Sequence, residues 1–424
     1  MNRTLVALAL AIAPSLASTG TFPLTPEQEL GRKLYLDVNL SLQRNQSCAT
    51  CHGLDPVAML PATGFVDPVN VATGNAVSTG SLPGRAGRLN TPSAGYAGFS
   101  PRFHWDPKEE QDVGGQVWNG RATDLAEQAK QPLLNPVEMA MPSPWAVITR
   151  LAQNPEYVHG FRQVYGIDLK KIPKNENAPA TAKPPAAVAA TYDRLGQAIA
   201  AFERSPVFNR FTSKFDFLLA GKTGLTVLER EGLKVFEGEK SKCADCHTSK
   251  PERTADGSLR PPLFTDFTYD NLGLPRNVNI PGNPPPDPGL AGHPLLAGKP
   301  AAAVQLGKHK VMGLRNIAVT PPYGHNGVFR TLEEIVHFYN TRDTKPRTCR
   351  DNNDPGFGNT CWPKPEIADN LNVEELGNLK LSAEEEQALV AFMKTLTDGY
   401  PDWGKDPNVP PGTPSPFAGV LPPP

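Results

Sequence analysis

The sequence predicts an all-α protein made of two small helical domains of one type, joined and wrapped by long loops. Three observations carry that prediction. No stretch alternates apolar and polar residues for long enough to build a sheet. A helical unit with its own cap recurs in the second half of the chain. The 424 residues include 46 Pro and 37 Gly, while hydrophobic residues reach only 39% and charged residues 20%. Much of the chain is therefore punctuated loop, and the ordinary core is thin for the length. Lys and Arg number 42 against 43 Asp and Glu, a net charge of -1. That balance offers no electrostatic footprint for nucleic acid, and no apolar run past the N-terminus is long enough to span a bilayer.

The elements follow in chain order. Residues 1–17 read as a secretory signal, with Arg3, an apolar run from Leu5 to Ala13, and Ser15-Leu16-Ala17 before a cut after Ala17. The mature chain is then periplasmic, where disulfides persist. The first domain is expected over residues 18–170. In it Leu24-Thr25 lies seven residues before Gly31, as Leu225-Thr226 lies seven before Gly232. Lys33 and Tyr35 match Lys234 and Phe236 at the same offsets, and each segment reads as a helix opened by a Thr cap, with Glu229 completing a capping box. The Pro/Ala-rich stretch 171–191 reads as an interdomain linker, followed by a helix in AATYDRLGQAIAAFER. The second domain is expected over 192–400, with a Pro-rich surface excursion at 279–303. It ends in a helix capped by Ser382, with Leu389, Phe392, Met393 and Leu396 as its apolar stripe. The Pro-rich tail 401–424 is expected to be disordered.

The six cysteines form three pairs. Cys48-Ala49-Thr50-Cys51-His52 and Cys243-Ala244-Asp245-Cys246-His247 share the pattern Cys-x-x-Cys-His. Two thiols three positions apart can add to the two vinyl groups of one haem, and the adjacent His then faces the iron as axial ligand. A zinc half-site would want further thiols or imidazoles beside each motif, and a redox pair needs no trailing His. Two copies in a secreted chain favour two covalently bound c-type haems, ligated by His52 and His247. Cys349 and Cys361 have no adjacent His and read most simply as a disulfide, with free thiols or a metal site as alternatives. The enclosed Asp351-Asn352-Asn353-Asp354 lacks the closing Glu of a calcium loop and reads as a solvated turn.

These motifs, with LGRKLYLDVNLS, Trp118-Asn119-Gly120-Arg121, Asn135-Pro136-Val137-Glu138-Met139 and LRNIAVTPPYGHNG followed by TLEEIVHFY, make the chain resemble the bacterial dihaem cytochrome c peroxidase and MauG family. The likeness runs roughly from Leu24 to Leu396. Asn119 stands where the family usually has Asp. An insertion after Asn90-Thr91-Pro92 carries Phe103-His104-Trp105-Asp106. The resemblance implies an N-terminal haem that meets hydrogen peroxide and a C-terminal haem that transfers electrons or stores charge. It assigns catalysis to Glu138, with Gln128 as distal amide, Pro132 in the distal pocket, and Trp118 between the haems in preference to Trp105. Unlike many dihaem peroxidases, the chain has no His between His52 and His104. Met59 is the one soft donor in the following loop, so the first haem is expected to be five-coordinate.

For the second haem, the family's sixth ligand falls fourteen residues after the His of Pro-Tyr-x-His. From His325 that position is Tyr339, as in MauG, where the peroxidases have Met. Met312, Tyr323 and His337 are the rivals. A phenolate stabilises oxidised iron, whereas a thioether favours the reduced state. The family also implies a calcium ion held by Asn90, Thr320 and Pro322. Three functions are expected from this reading: MauG-like oxidation of a secreted partner protein at Trp or Tyr, peroxide removal fed by a small periplasmic electron-transfer protein, or a non-catalytic dihaem electron carrier. Glu138 and Gln128 speak against the third.

Overall fold

A computed structural model describes residues 23–54, 64–253, 257 and 259–423; the expected signal segment and Met59 lie outside them. The first helix, α1 (Pro26–Leu36), starts where Thr25 Oγ1 accepts the Gln28 N–H and Gln28 Oε1 accepts the Thr25 N–H. The rest of the first half contains α2 (Cys48–Cys51), α3 (Pro68–Thr73), α4 (Leu125–Leu134), α5 (Pro144–Leu151), α6 (Pro155–Tyr165) and α7 (Ala186–Glu203). The second half contains α8 (Lys214–Leu219), α9 (Val227–Phe236), α10 (Cys243–Cys246), α11 (Leu332–Thr341), α12 (Ala383–Lys394) and α13 (Tyr400–Trp403). Thr226 and Glu229 form the expected box on α9, and Ser382 and Glu385 the one on α12.

The fold is largely helical, with short two-stranded ladders where all-α was expected. β1 (His104–Asp106) pairs antiparallel with β2 (Gln111–Val113), β3 (Glu252–Arg253) with β4 (Leu259–Arg260), and β5 (Tyr269–Asp270) with β6 (His309–Lys310). β7 (Arg347–Thr348) runs parallel to β8 (Cys361–Trp362) beside the Cys349–Cys361 disulfide, whose Cα atoms are 5.2 Å apart. Two or three residues give too short a period-2 signal to show in sequence.

Each half is organised around one helix crossing. α1 packs on α7, and α9 packs on α12. A Cβ on Gly31 would lie 1.9 Å from the Ala198 carbonyl oxygen, and one on Gly232 would lie 1.9 Å from that of Ala388. Only glycine lets the backbones come so close. The first core gathers Leu30, Leu34, Tyr35, Leu195, Phe202 and Phe208; the second gathers Phe236, Phe264, Leu389, Phe392 and Met393.

Two expectations are corrected here. Helix α7 belongs to the first core, which continues to Phe208, so the expected boundary at the 171–191 stretch is too early. That stretch lies along the first half, where the Trp145 Nε1–H donates to the Pro173 carbonyl (2.9 Å) and Ala178 is fully buried. The tail is ordered rather than disordered. Val409 is fully buried with Phe217 and Tyr400, while Phe417 and Val420 pack on Tyr96, Phe99 and Phe211. Proline fixes φ in advance, so a Pro-rich strap loses little further entropy when it docks.

Candidate functional site

The two Cys-x-x-Cys-His segments fold alike. Each pair of thiols occupies positions 1 and 4 of a single helical turn, and the backbone N–H of His52 or His247 closes it on the Cys48 or Cys243 carbonyl (2.9 Å in both). The four thiols are not joined as disulfides. Burial pushes all four upward, the reverse of what a reactive redox pair needs. His52 Nδ1–H faces the Phe65 carbonyl (3.2 Å) and His247 Nδ1–H the Phe264 carbonyl (2.8 Å). A carbonyl only accepts, so the proton sits on Nδ1 and the Nε2 lone pair remains for a metal. Both Phe residues hold left-handed φ, 63° and 57°, a strained conformation that aims the two carbonyls. Burial lowers both imidazoles and keeps them neutral.

Cys48, Cys51 and His52 open onto a cavity of about 440 Å³ that Gln128, Pro132, Glu138 and Trp118 also line. A cavity needs only about 10–15 Å³ to hold one water, so this one is large enough for a prosthetic group with a small second reactant. Asp124 caps α4 through the Glu127 N–H (2.9 Å), which places Gln128 one turn before Pro132 on a single face. Pro132 lacks the N–H that would have bonded the Gln128 carbonyl. Glu138 follows in the turn after α4, where Oε1 accepts from Asn135 Nδ2 (2.7 Å). Burial raises its carboxyl, and the Arg121 charge and the Asn135 hydrogen bond oppose that only in part. His104 is exposed on the β1–β2 hairpin with Nδ1 toward the Arg102 carbonyl (2.8 Å), outside the cavity.

Cys243, Cys246 and His247 open onto a second, more apolar cavity of about 200 Å³. Thr331 caps α11, and Leu332, Ile335, Val336 and Tyr339 form the helix stripe that lines it. Among the rivals, His337 turns away to Glu386 (3.0 Å) and Lys345 (2.7 Å). Tyr323 and Met312 both line the cavity, and the Tyr323 hydroxyl donates to the Ile317 carbonyl (2.9 Å). Burial and the nearby thiols push the Tyr339 phenol upward, so its ionised form requires a cation beside it. The donor sets of both cavities fit haem c: two thiols on one turn, an imidazole with Nε2 free, and in the second cavity a buried phenol.

Trp118 lines both cavities. It rides a loop closed by the Gln116–Ala122 bridge, its indole N–H donates to the Asn90 carbonyl (2.8 Å), and its edge meets the rings of His309 and His325. Those imidazoles stack 3.6 Å apart, one beside Asp287 and the other beside Glu366. Gly120, at φ 69°, is obligatory in this loop, because a Cβ there would strike the Tyr269 hydroxyl oxygen at 2.1 Å. Trp105 is 56% exposed on the inserted hairpin and reaches neither cavity.

Asn90, Thr320 and Pro322 line a third cavity between the other two. Asn90 Nδ2–H donates to the Pro322 carbonyl (2.6 Å), and all three residues offer neutral oxygen donors of the kind calcium takes. The sequence reading missed Glu203, buried on the wall of the first cavity with Oε2 unpartnered and its carboxyl raised to about 8 by desolvation. The signal was present: Ala198 and Phe202 match Ala388 and Phe392 in spacing, which assigns α7 to the first half and puts Glu203 beside the first cavity.

Comparison with known proteins agrees with this arrangement. The di-haem cytochrome c peroxidase family profile matches residues 25–224. The methylamine utilization protein MauG of Paracoccus denitrificans is 38% identical over 87% of this chain and 88% of its own length. The cytochrome c551 peroxidase of Nitrosomonas europaea is 28% identical over 97% of this chain and 96% of its own. The crystal structure of the diheme peroxidase BthA from Burkholderia thailandensis superposes with a TM-score of 0.71 at 30% identity, covering 89% of this chain and 88% of that one. Two haem-attachment turns on a duplicated helix crossing, and relatives of this likeness along nearly the whole length, make the chain a member of the di-haem cytochrome c peroxidase and MauG family, an oxidoreductase with two c-type haems.

Proposed function

We propose that this chain is a periplasmic MauG-like oxidant: it reduces hydrogen peroxide at its N-terminal site and draws the electrons through Trp118 from a second site ligated by His247 and Tyr339. The observation that carries the reading is the indole of Trp118 on the walls of both cavities, with Glu138, Gln128 and Pro132 in one and Tyr339 in the other. When bound, the haems supply the iron chemistry that accepts and stores oxidising equivalents. The reaction consumes two protons and two electrons per peroxide and releases two waters. Glu138 serves the protons: Asn135 occupies Oε1, which leaves Oε2 to take a proton from the near peroxide oxygen and return it to the far one. Burial brings the carboxyl toward neutrality, where such a shuttle works best. Gln128 supplies an amide to orient the peroxide.

A second reading, a cytochrome c peroxidase fed by a small electron-carrier protein, draws support from the peroxidase relative that matches almost end to end. Tyr339 in place of Met favours the first reading, because a phenolate disfavours the reduced state a donor cytochrome would have to supply. The partner is then a secreted protein oxidised at Trp or Tyr. Asn90, Thr320 and Pro322 would hold one calcium ion. Steady-state turnover with peroxide and a reduced c-type cytochrome separates the readings. Negligible turnover with intact single-turnover reactivity supports MauG-like oxidation; rapid turnover supports the peroxidase.

A further inference from the structure

Lys310 lies on β6, opposite Tyr269, and holds the Trp118 loop at two points. Its backbone N–H donates to the Trp118 carbonyl (2.8 Å), and its Nζ donates to the Gly115 carbonyl (2.7 Å) and to Ser100 Oγ (3.4 Å). The loop needs such ties. Gly114, Gly115, Val117 and Gly120 all have positive φ, and Trp118 belongs to no helix or strand. Lys310 also lines the second cavity and the one between the two.

We propose that Lys310 is a positioning residue for Trp118, clamping its loop to the second half of the chain and setting a titratable cation between the two haem cavities. The proposal rests on the reading of Trp118 as the bridge. Lys310 is 7% exposed, and no carboxylate lies within ion-pair distance of it among the described residues. The charged groups around it have other partners. Asp270, next to Tyr269 on the facing strand, accepts from Asn372 and from the Asn271 N–H; Arg315 is paired with Asp216, His309 with Asp287, and His325 with Glu366. Burial without a counter-charge brings the ammonium down to about 7. The neutral amine still has two N–H groups for Gly115 and Ser100, so the clamp survives deprotonation while the charge does not. A cation here opposes removal of an electron from the neighbouring site, so the second haem's potential should fall as pH rises through neutrality.

The test uses the haem-loaded protein as wild type, Lys310→Met and Lys310→Arg. The potential of the low-spin haem is titrated below and above neutrality, and its spectral change is followed after a single addition of peroxide. Wild type should show a potential that falls with pH. Lys310→Met should lie lower at acid pH and lose the pH dependence, with its second-site response slowed on the order of 10–100-fold by a loosened Trp118. Lys310→Arg should keep the high potential at every pH. A Lys310→Met protein with the wild-type potential and pH profile would overturn the proposal. If that variant does not load haem, a wild-type pH profile in Lys310→Arg overturns it equally. The potentials are read without peroxide, so a chain inert to peroxide would defeat the peroxide reading alone.

Discussion

Two carboxyls on one cavity show how much burial decides at the level of a single residue. Glu138 has one oxygen held by Asn135, and its acid form is favoured by desolvation. Glu138→Gln keeps the shape and removes the shuttle, so the rate of peroxide reaction, measured by stopped flow, should drop roughly 10²–10⁴-fold with haem content unchanged. Glu203 is raised to about 8 by desolvation, which the neighbouring Arg204 charge offsets only in part. The folded state therefore binds this proton more tightly than the unfolded chain. Stability from this group is full below the ordinary carboxylate range and is lost as pH rises through about 8. Thermal midpoints should decline over that window, and Glu203→Gln should flatten the decline. For Tyr339, replacement by Phe should change the low-spin haem's absorption spectrum; an unchanged spectrum would assign the ligand elsewhere, with Met312 next on the cavity wall. The haem-attaching residues were plain in the sequence because their chemistry is compressed into five positions. Glu203 was not, because its meaning depends on a cavity assembled from distant segments.

Among the elements, the duplicated crossing carries the clearest lesson. Gly31 and Gly232 stood out in the sequence as matched positions, but their purpose shows only when α7 and α12 arrive against them. By helix propensity alone, Gly→Ala at either site should stabilise the chain by about 1 kcal/mol. The packing reverses the sign: a methyl 1.9 Å from a carbonyl oxygen must push the helices apart, at a cost of about 1–3 kcal/mol or more. A chemical denaturation midpoint that rises in Gly31→Ala would refute that assignment. The misplaced boundary has the same origin. Caps and stripes are local and were legible, whereas the pairing of α1 with α7 spans most of a domain and left only the faint match of Ala198 and Phe202 with Ala388 and Phe392. The tail was misjudged because proline content reports missing backbone donors, which is different from missing contacts.

Across the whole molecule, one buried polar knot ties the halves together. Arg315 grips Asp216 with two hydrogen bonds (3.0 and 2.9 Å) and lies over the rings of Tyr96 and Phe211, while Asp398 accepts from Tyr96, Thr212 and Asn316. Removing one partner strands a charge in the interior, so Asp216→Ala should cost about 3–5 kcal/mol in denaturant titration. The thin core that the composition implies is supplemented by this knot and by the docked tail. That tail also acts as a clasp: Phe417 and Val420 cover a surface shared by Tyr96, Phe99 and Phe211, so detaching it would expose apolar area at the join between the two halves.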